Sequence, residues 1–312
     1  MTDNLNPILS IVVPTREGFD SHWLEELLKI KGEIEFILVH PPGMAKYPVR
    51  DPRLQQINSS FRGEIIQRLT GLLNASGQYT LTINCDEYLT PNILEITKNY
   101  FAKFPDNWVV RLSKKHFDFG DKNSLVKPWD KSDISSMAVC GTSKSSHCSY
   151  DAGNCMLEIP IAPLDNKFDL ACLFRQRKDH HGIHTENFDK KIWKNEILQS
   201  SLQELTQAMA IAGPLKYVPF WCLDRLLGLF IQAKFFEKGK IIGHLLPLPE
   251  QIRVEANPPE YKKSRRFYLL AELLLLKRFP QYGYLWNLII DQVRGTVTRG
   301  FNFLFHKLTM QN

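Results

Sequence analysis

An acidic residue follows directly after a short alternating apolar run, at a point where it could bind a cation. Residues 79–83 (YTLTI) alternate as a β-strand does, and Asn84, Cys85, Asp86 and Glu87 come immediately after them. Mg²⁺ and Mn²⁺ prefer carboxylate and phosphate oxygens, so Asp86 could hold one of these ions against a diphosphate. The alternative is that Asp86 or Glu87 only caps the next helix or shapes the turn before it.

Three histidines occur within five residues, at His180, His181 and His184. A zinc site would need tetrahedral ligands, and the sequence has neither HExxH nor a companion cysteine pair. These histidines are therefore interpreted as substrate-lining or structural. The sequence also lacks GxxxxGKS/T, GxGxxG and GxSxG, which disfavours an NTPase or kinase, a dehydrogenase and a serine hydrolase.

The elements that would position Asp86 follow a repeated strand–helix–strand pattern. Strands are predicted at residues 9–15, 35–40 and 79–83, and helices at residues 21–31, 64–75 and 91–104. Such units predict a parallel sheet, and ligands of open α/β sheets bind beyond the carboxyl ends of the strands. Thr15, His40 and Asp86 each follow a strand, so we expect them on one rim.

Composition excludes several classes of protein. The chain has 312 residues, a net charge of +6 and 44% hydrophobic residues, which excludes a disordered or collagen-like protein. Its six cysteines form no CxxC pair, and they are interpreted as reduced thiols. The N-terminus has no basic segment, and its apolar run is too short for a signal peptide, so we expect a cytoplasmic protein.

The positive charge is concentrated near the C-terminus. Residues 261–312 contain nine basic and two acidic residues. The apolar run at residues 267–276 is shorter than the roughly 20 residues of a membrane-spanning helix. Apolar residues then recur at helical spacing, at Val293, Val297, Phe301, Leu304 and Leu308. This pattern fits either a helix on an anionic membrane surface or a helix packed on the core, while nucleic acid is disfavoured because no binding motif accompanies the charge.

Several segments together resemble family 2 glycosyltransferases of the GT-A fold. They resemble in particular the bacterial branch that builds lipopolysaccharide-core and related cell-envelope glycans. The resemblance is carried by LSIVVPTREG, EFILVHPPG, QRLTGLLNASGQYTLTINCDEYLTPN and LFRQRKDHHGIHTE. It implies an α/β fold of GT-A (Rossmann-like) type, with a mixed, mostly parallel sheet flanked by helices and a C-terminal helical extension.

The domain boundaries implied are as follows. Residues 1–215 would be the GT-A-like domain, with 1–111 as its nucleotide-binding half and 112–215 as its acceptor half. Residues 216–312 would be the basic helical extension, and the boundary falls near Gly213 and Pro214. Within these domains the residue pattern itself predicts helices at 190–212 and 221–238, and it assigns no element to most of 112–165.

The resemblance also implies roles for individual residues. Thr15, Arg16 and Glu17 would lie beside the nucleotide base and ribose. Arg68, or alternatively Arg62, would lie near the nucleotide phosphates, and Asp86 would bind the metal with Asn84 beside it. Glu186, or His184 just before it, would be the catalytic base. The sequence departs from the family pattern at His40 and Asn84, where the family usually has Asp, and at His184-Thr185-Glu186, where the family has adjacent His and Glu.

The reaction implied is an inverting hexosyltransferase-type transfer that depends on Mg²⁺ or Mn²⁺. The donor would be a nucleotide-sugar, with UDP favoured over GDP, and the acceptor a glycan or a lipid-linked molecule. The protein would act in the cytoplasm, peripherally at the inner face of the plasma membrane. Because Asn84 and His40 replace acidic residues, the alternative is a catalytically weak scaffold that binds nucleotide or glycan.

Overall fold

The computed structural model describes residues 7–131, 133–141, 155–179, 184–217, 223–257 and 269–309, with side chains up to residue 298. The predicted α/β class is confirmed, with a large mostly parallel sheet flanked by helices. Within the described residues, no helix is both long enough and apolar enough to span a bilayer.

The amino-terminal part alternates strands and helices as predicted. Its elements are β1 (Leu9–Pro14), α1 (Ser21–Leu28), β2 (Ile34–His40), β3 (Leu54–Asn58), α2 (Glu64–Leu73), β4 (Tyr79–Thr82), β5 (Glu87–Leu89) and α3 (Ile93–Lys103). The short strands β3 and β5 were not predicted. Helix α1 is capped by Asp20, whose side chain accepts the N–H of His22 at 2.9 Å, because an Asx side chain satisfies one of the free amides of a first turn.

The remaining elements mix strands with longer helices. They are β6 (Val109–Arg111), β7 (Lys114–Phe117), α4 (Lys122–Leu125), β8 (Ala138–Val139), β9 (Cys155–Pro160), β10 (Lys191–Lys194), α5 (Asn195–Ala210), α6 (Leu223–Lys234), β11 (Ile241–Leu245), β12 (Ile252–Glu255), α7 (Leu269–Arg278) and α8 (Gly283–Thr309). Two 3₁₀ turns lie at Leu170–Leu173 and Gly213–Tyr217.

The central sheet has nine strands in the order β3-β2-β1-β4-β10-β6-β11-β9-β8. Strands β1, β2, β3 and β4 are parallel, whereas β10 runs antiparallel between β4 and β6. A separate small sheet has the order β5-β12-β7. Because β10 runs against β4, its amino-terminal end lies at the rim where β1 and β4 have their carboxyl ends.

Alternate residues of the central strands enter two hydrophobic cores, one on each face of the sheet. In β1, Val12 belongs to the core beneath α2, α5, α6, α7 and α8, while Ile11 and Val13 belong to the core beneath α1 and α3. In β10, Trp193 belongs to the first of these cores and Ile192 to the second. Burial on both faces follows from the two-residue period of a strand, and it explains the near-continuous apolar runs in the sequence.

Two sequence predictions need correction. The helix predicted from Lys190 begins at Asn195 instead, because residues 191–194 bury side chains on alternate sides as a strand. Residues 216–312 are not all helical, since they include β11 and β12, and β11 pairs with β6 and β9 inside the central sheet. The division of the chain into two domains stays a prediction, although both predicted domains contribute strands to the central sheet.

The expectation that all cysteines are reduced is also wrong for one pair. Cys140 and Cys155 form a disulfide between the ends of β8 and β9, with their Cα atoms 5.8 Å apart. The two strands pair in parallel, which brings together cysteines that are 15 residues apart in the sequence. Cys85 and Cys172 are free and buried, while Cys148 and Cys222 lie outside the described residues.

Candidate functional site

A cleft of about 1130 Å³ opens at the rim of the central sheet. Its walls come from residues 14–17 at the carboxyl end of β1, residues 84–87 after β4, the start of α2, and residues 189–190 before β10. Residues 254–257 and part of β7 close the opposite side. The rim expected from the sequence is therefore present, and it carries these predicted site residues: Thr15, Arg16, Glu17, Arg62, Asn84 and Asp86.

Thr15 is held by His40 rather than by an acidic residue. The Thr15 hydroxyl lies 2.7 Å from His40 Nδ1, and His40 Nε2 lies 3.0 Å from Gln56 Oε1. Gln56 also bonds the backbone of Tyr47 with both its oxygen and its nitrogen, which fixes the orientation of its amide. His40 Nε2 therefore donates to Gln56 and Nδ1 accepts from Thr15. Burial lowers the pKa of His40, in keeping with a neutral ring.

Asp86 faces the cleft beside a cationic side chain. Its carboxylate lies 3.6 Å from the guanidinium of Arg16, and 22% of its side chain is exposed. Burial raises the pKa of Asp86, although Arg16 acts in the opposite direction. Its backbone carbonyl accepts the N–H of Glu255, which brings a second carboxyl-bearing residue to the same wall.

Asn84 and Arg68 form part of the cleft wall. Arg68 Nη2 donates to Asn84 Oδ1 at 2.8 Å, and its Nε donates to Glu64 at 3.0 Å. The Asn84 amide nitrogen in turn donates to Glu87 at 3.1 Å. Arg68 is buried behind Asn84 rather than among the residues that line the cleft. Asn84 is thus fixed by hydrogen bonds on both sides of its amide.

Glu17 and Arg62 stand at the mouth of the cleft. They form an exposed ion pair at 3.0 Å, in which about two thirds of each side chain contacts solvent. Exposed pairs of this kind contribute little to stability, at about 0–1 kcal/mol. Either side chain can therefore turn toward a ligand at low cost.

Glu186 and His184 do not line the cleft. The Glu186 carboxylate accepts from Arg177 and from the hydroxyl of Tyr284, and it lies 3.2 Å from Arg225. Burial opposes ionisation, but the two arginines outweigh it and lower the pKa of Glu186. His184 Nε2 lies 3.2 Å from the Tyr284 hydroxyl. The structure therefore places both predicted catalytic residues in a buried ionic cluster against α6 and α8, whereas His180 and His181 lie outside the described residues.

Asp189 and Lys190 also line the cleft, and neither was among the predicted site residues. They directly precede β10, whose antiparallel direction brings them to the rim, and Lys190 N–H donates to Thr82 at the end of β4. Lys190 has a φ of 57°, a backbone conformation that non-glycine residues seldom adopt. Its Nζ lies 2.9 Å from Glu87. The sequence carried no signal for this placement, because the pattern from residue 190 predicted a helix rather than a strand.

Asp189 is paired with a second buried carboxyl group, that of Asp224 at the start of α6. Asp224 Oδ1 accepts the backbone N–H of both Phe188 and Asp189 at 2.6 Å. A carboxyl group that is buried close to another carboxylate resists ionisation. Burial and the nearby Asp189 raise the pKa of Asp224 to about 6.

Cationic neighbours decide which member of the pair is ionised. Burial opposes the charge on Asp189, but Lys191, Arg68 and Lys190 outweigh it and lower the pKa of Asp189. Lys191 is itself fully enclosed, and burial lowers its pKa to about 8. The cleft therefore presents an ionised Asp189, behind which Asp224 holds a proton up to about pH 6.

The residues around Asp86 suit a hard cation that is shared with a ligand. Among the residues that the structure describes, no group of three or more His, Cys, Asp or Glu side chains could hold a metal ion alone. The rim does offer carboxylate oxygen at Asp86, with Glu255 beside it. Mg²⁺ commonly takes one or two carboxylates together with substrate phosphates, so this donor set fits such an ion.

Neither a protein-family model nor a curated protein matches this sequence. Among solved structures, S. aureus TarS 1–349 in complex with UDP-GlcNAc has a TM-score of 0.48 and 14% identity, and it covers 86% of this chain. S. aureus TarS 1–349 alone has a TM-score of 0.47 and 15% identity, also over 86% of this chain. The chain spans 66% and 65% of those two TarS chains, just under two thirds. These values are too low for the likeness to bear on function.

Proposed function

We propose that this chain is a glycosyltransferase of the GT-A type, which moves a sugar from a nucleotide-sugar donor to a hydroxyl group of a glycan or lipid-linked acceptor. A UDP-sugar is the favoured donor. One observation supports this above the others: Asp86 and Asp189 reach the same cleft from the ends of two different strands, with Arg16 and Lys190 beside them.

The two carboxyl groups suit different tasks. Asp189 is held ionised by surrounding cations, so it can accept the proton of an acceptor hydroxyl. The acceptor oxygen then bonds to the anomeric carbon as the bond from that carbon to the donor phosphate breaks. A base of this kind typically contributes about 10² to 10⁴ in rate. Because the carboxylate acts as a base and not as a nucleophile, the acceptor oxygen displaces the phosphate in a single step, and the anomeric configuration inverts.

The departing diphosphate needs positive charge near it. Arg16, Arg62, Lys114 and Lys190 all line the cleft and can supply that charge. A divalent cation, when bound at Asp86, would add Lewis-acid stabilisation of the leaving phosphate. Thr15, fixed by its bond to His40, offers a positioned hydroxyl for the nucleotide.

We propose Asp189 as the base in place of Glu186. The Glu186 carboxylate already accepts two hydrogen bonds and faces two arginines, so it is poorly available to an acceptor. It also lies outside the cleft lining. The local sequence cannot reveal this difference, because Glu186 and Asp189 are only three residues apart.

The test is a donor screen with two matched variants. We expect thermal stabilisation by one class of nucleotide-sugar in the presence of Mn²⁺, and release of nucleotide diphosphate when an acceptor is added. Asp86→Asn should lose the Mn²⁺-dependent part of the stabilisation. Asp189→Asn should keep the stabilisation and lose turnover. An Asp189→Asn variant that turns over normally would contradict the assignment of the base.

A second candidate function is a scaffold that binds nucleotide or glycan without catalysis. It is favoured by Asn84, whose amide is committed to Arg68 and Glu87 and carries no charge for a cation. The same screen separates the two functions. Stabilisation by a donor, without turnover on any acceptor and without an effect of Asp189→Asn, would favour the scaffold.

A further inference from the structure

A short 3₁₀ turn exposes an unusual number of large apolar side chains. Phe174 is 89% exposed and Leu170 is 61% exposed, and Phe168 and Leu173 beside them are also exposed. Cys172, in the same turn, is buried and anchors the segment. Clusters of exposed apolar side chains usually mark a binding surface, since they gain nothing from contact with water.

Helix α8 exposes a stripe of apolar residues along one side. Trp286, Val293 and Val297 are 41%, 41% and 51% exposed. At about 100° per residue these three positions fall within about 40° of one line along the helix. Tyr284 and Leu288, on another side, are buried against the core. The sequence continues the same apolar spacing at positions 301, 304 and 308.

The turn and the helix form one surface. The ring of Phe168 contacts that of Trp286, with their centroids 6.2 Å apart. Asn287 accepts the N–H of Asp169 at 2.7 Å and donates to the carbonyl of Lys167 at 3.1 Å. The apolar ridge, as we name this surface, consists of Phe168, Leu170, Leu173, Phe174, Trp286, Val293 and Val297. Its two parts are fixed to each other by the hydrogen bonds of the Asn287 side chain to the backbone before the turn.

The charge around the apolar ridge is positive. Residues 165–179 and 283–298 contain five basic and four acidic residues. Each of the four acidic residues contacts a basic side chain: Asp165, Asp169, Asp179 and Asp291. Lys167 and Lys178, which flank the turn, are exposed and add positive charge. An apolar strip bordered by lysines matches the surface of an anionic bilayer, where acyl chains lie beneath phosphates.

We propose that the apolar ridge binds the surface of an anionic membrane. Phe174, Leu170 and the stripe of α8 would enter the interface, while Lys167 and Lys178 would lie near the lipid phosphates. Helix α8 would lie along the surface, which requires no membrane-spanning segment. This proposal extends the membrane contact expected of residues 261–312 to a second, distant segment, and it does not depend on the chemistry of the cleft.

Vesicle sedimentation of the full chain tests the proposal. We expect binding to vesicles of phosphatidylcholine with phosphatidylglycerol, and at least tenfold weaker binding to phosphatidylcholine alone or at high salt. The double variant Leu170→Ser with Phe174→Ser should weaken binding at least tenfold. Phe119→Ser is the matched control, because Phe119 is a similarly exposed aromatic residue elsewhere on the chain, and it should bind as the wild type does.

A second variant guards against a folding defect. Lys167→Glu with Lys178→Glu leaves every apolar side chain in place, and it should remove the preference for anionic vesicles while leaving the melting temperature unchanged. Equal binding by both double variants and the wild type would overturn the proposal. It would also be overturned if the wild type ignores vesicles and forms a dimer that the Leu170→Ser, Phe174→Ser variant dissolves, because a second copy would then cover the ridge.

Discussion

Asp224 Oδ1 accepts the backbone N–H of Asp189 at 2.6 Å, so a buried carboxyl group on α6 fixes the residue that faces the cleft. The same oxygen accepts the N–H of Phe188 at 2.6 Å. These two hydrogen bonds to the backbone make Asp224 a positioning residue for Asp189. Because Asp224 belongs to α6, the position of Asp189 in the cleft depends on how α6 packs.

Replacing Asp189 should separate catalysis from binding. We expect Asp189→Asn to lower the turnover rate by about 10² to 10⁴ because it removes the proposed base, with little change in donor affinity. Steady-state kinetics and donor titration measure the two effects separately.

Replacing Glu186 should act mainly on stability. Glu186→Gln leaves Arg177 and Arg225 without their shared buried anion, so we expect the free energy of unfolding to fall by about 3 kcal/mol. Urea denaturation measures this loss. A stable Glu186→Gln enzyme without activity would instead restore Glu186 as the base.

The stability of the protein should depend on pH through Asp224. Because burial raises its pKa from 3.8 to about 6, the folded protein holds a proton that the unfolded chain releases. The stabilising contribution of this carboxyl group is complete below about pH 4 and is lost as the pH rises through about 6.

The variant Asp224→Asn mimics the protonated side chain and can still accept both N–H groups. We expect the wild type to lose stability relative to Asp224→Asn between about pH 4 and pH 7, by at most about 3 kcal/mol. Denaturation curves at several pH values test this, and parallel stability profiles would contradict the raised pKa of Asp224.

A methyl group at Gly71 should disturb the helix that carries Arg68. A Cβ at Gly71 would lie 2.3 Å from Val12 Cγ1, so we expect Gly71→Ala to destabilise the protein by about 1–3 kcal/mol. Gly295→Ala is the matched control, since nothing lies within 4 Å of its Cβ position in α8, and it should stabilise by about 0.5–1 kcal/mol. Equal melting temperatures for the two variants would be inconsistent with this contact.

Thiol counting tests the disulfide. The sequence has six cysteines, and the bond between Cys140 and Cys155 predicts that alkylation of the denatured protein labels two more thiols after reduction than before it. In Cys140→Ser this difference should disappear. The same count in both proteins, with and without reductant, would show that the pair is reduced.

The sequence by itself determined the elements of the first hundred residues and the rim they form. Strand and helix periods are local signals, and the carboxyl ends of parallel strands meet at one edge, so Thr15 and Asp86 could be placed together without coordinates. Arg16, Glu17, Arg62 and Asn84, which were selected from the family resemblance, also line this cleft, and their roles stay predictions.

Only the tertiary structure decided which carboxylate faces the cleft from the later part of the chain. Asp189 reaches the rim because β10 inserts antiparallel between β4 and β6, and this pairing depends on hydrogen bonds to residues about 80 and 110 positions away. Glu186, three residues earlier, instead forms hydrogen bonds and ion pairs with two arginines and a tyrosine from other segments of the chain. Such contacts between distant segments leave no local period in the sequence, because each residue's environment is set by the strand or helix that packs beside it.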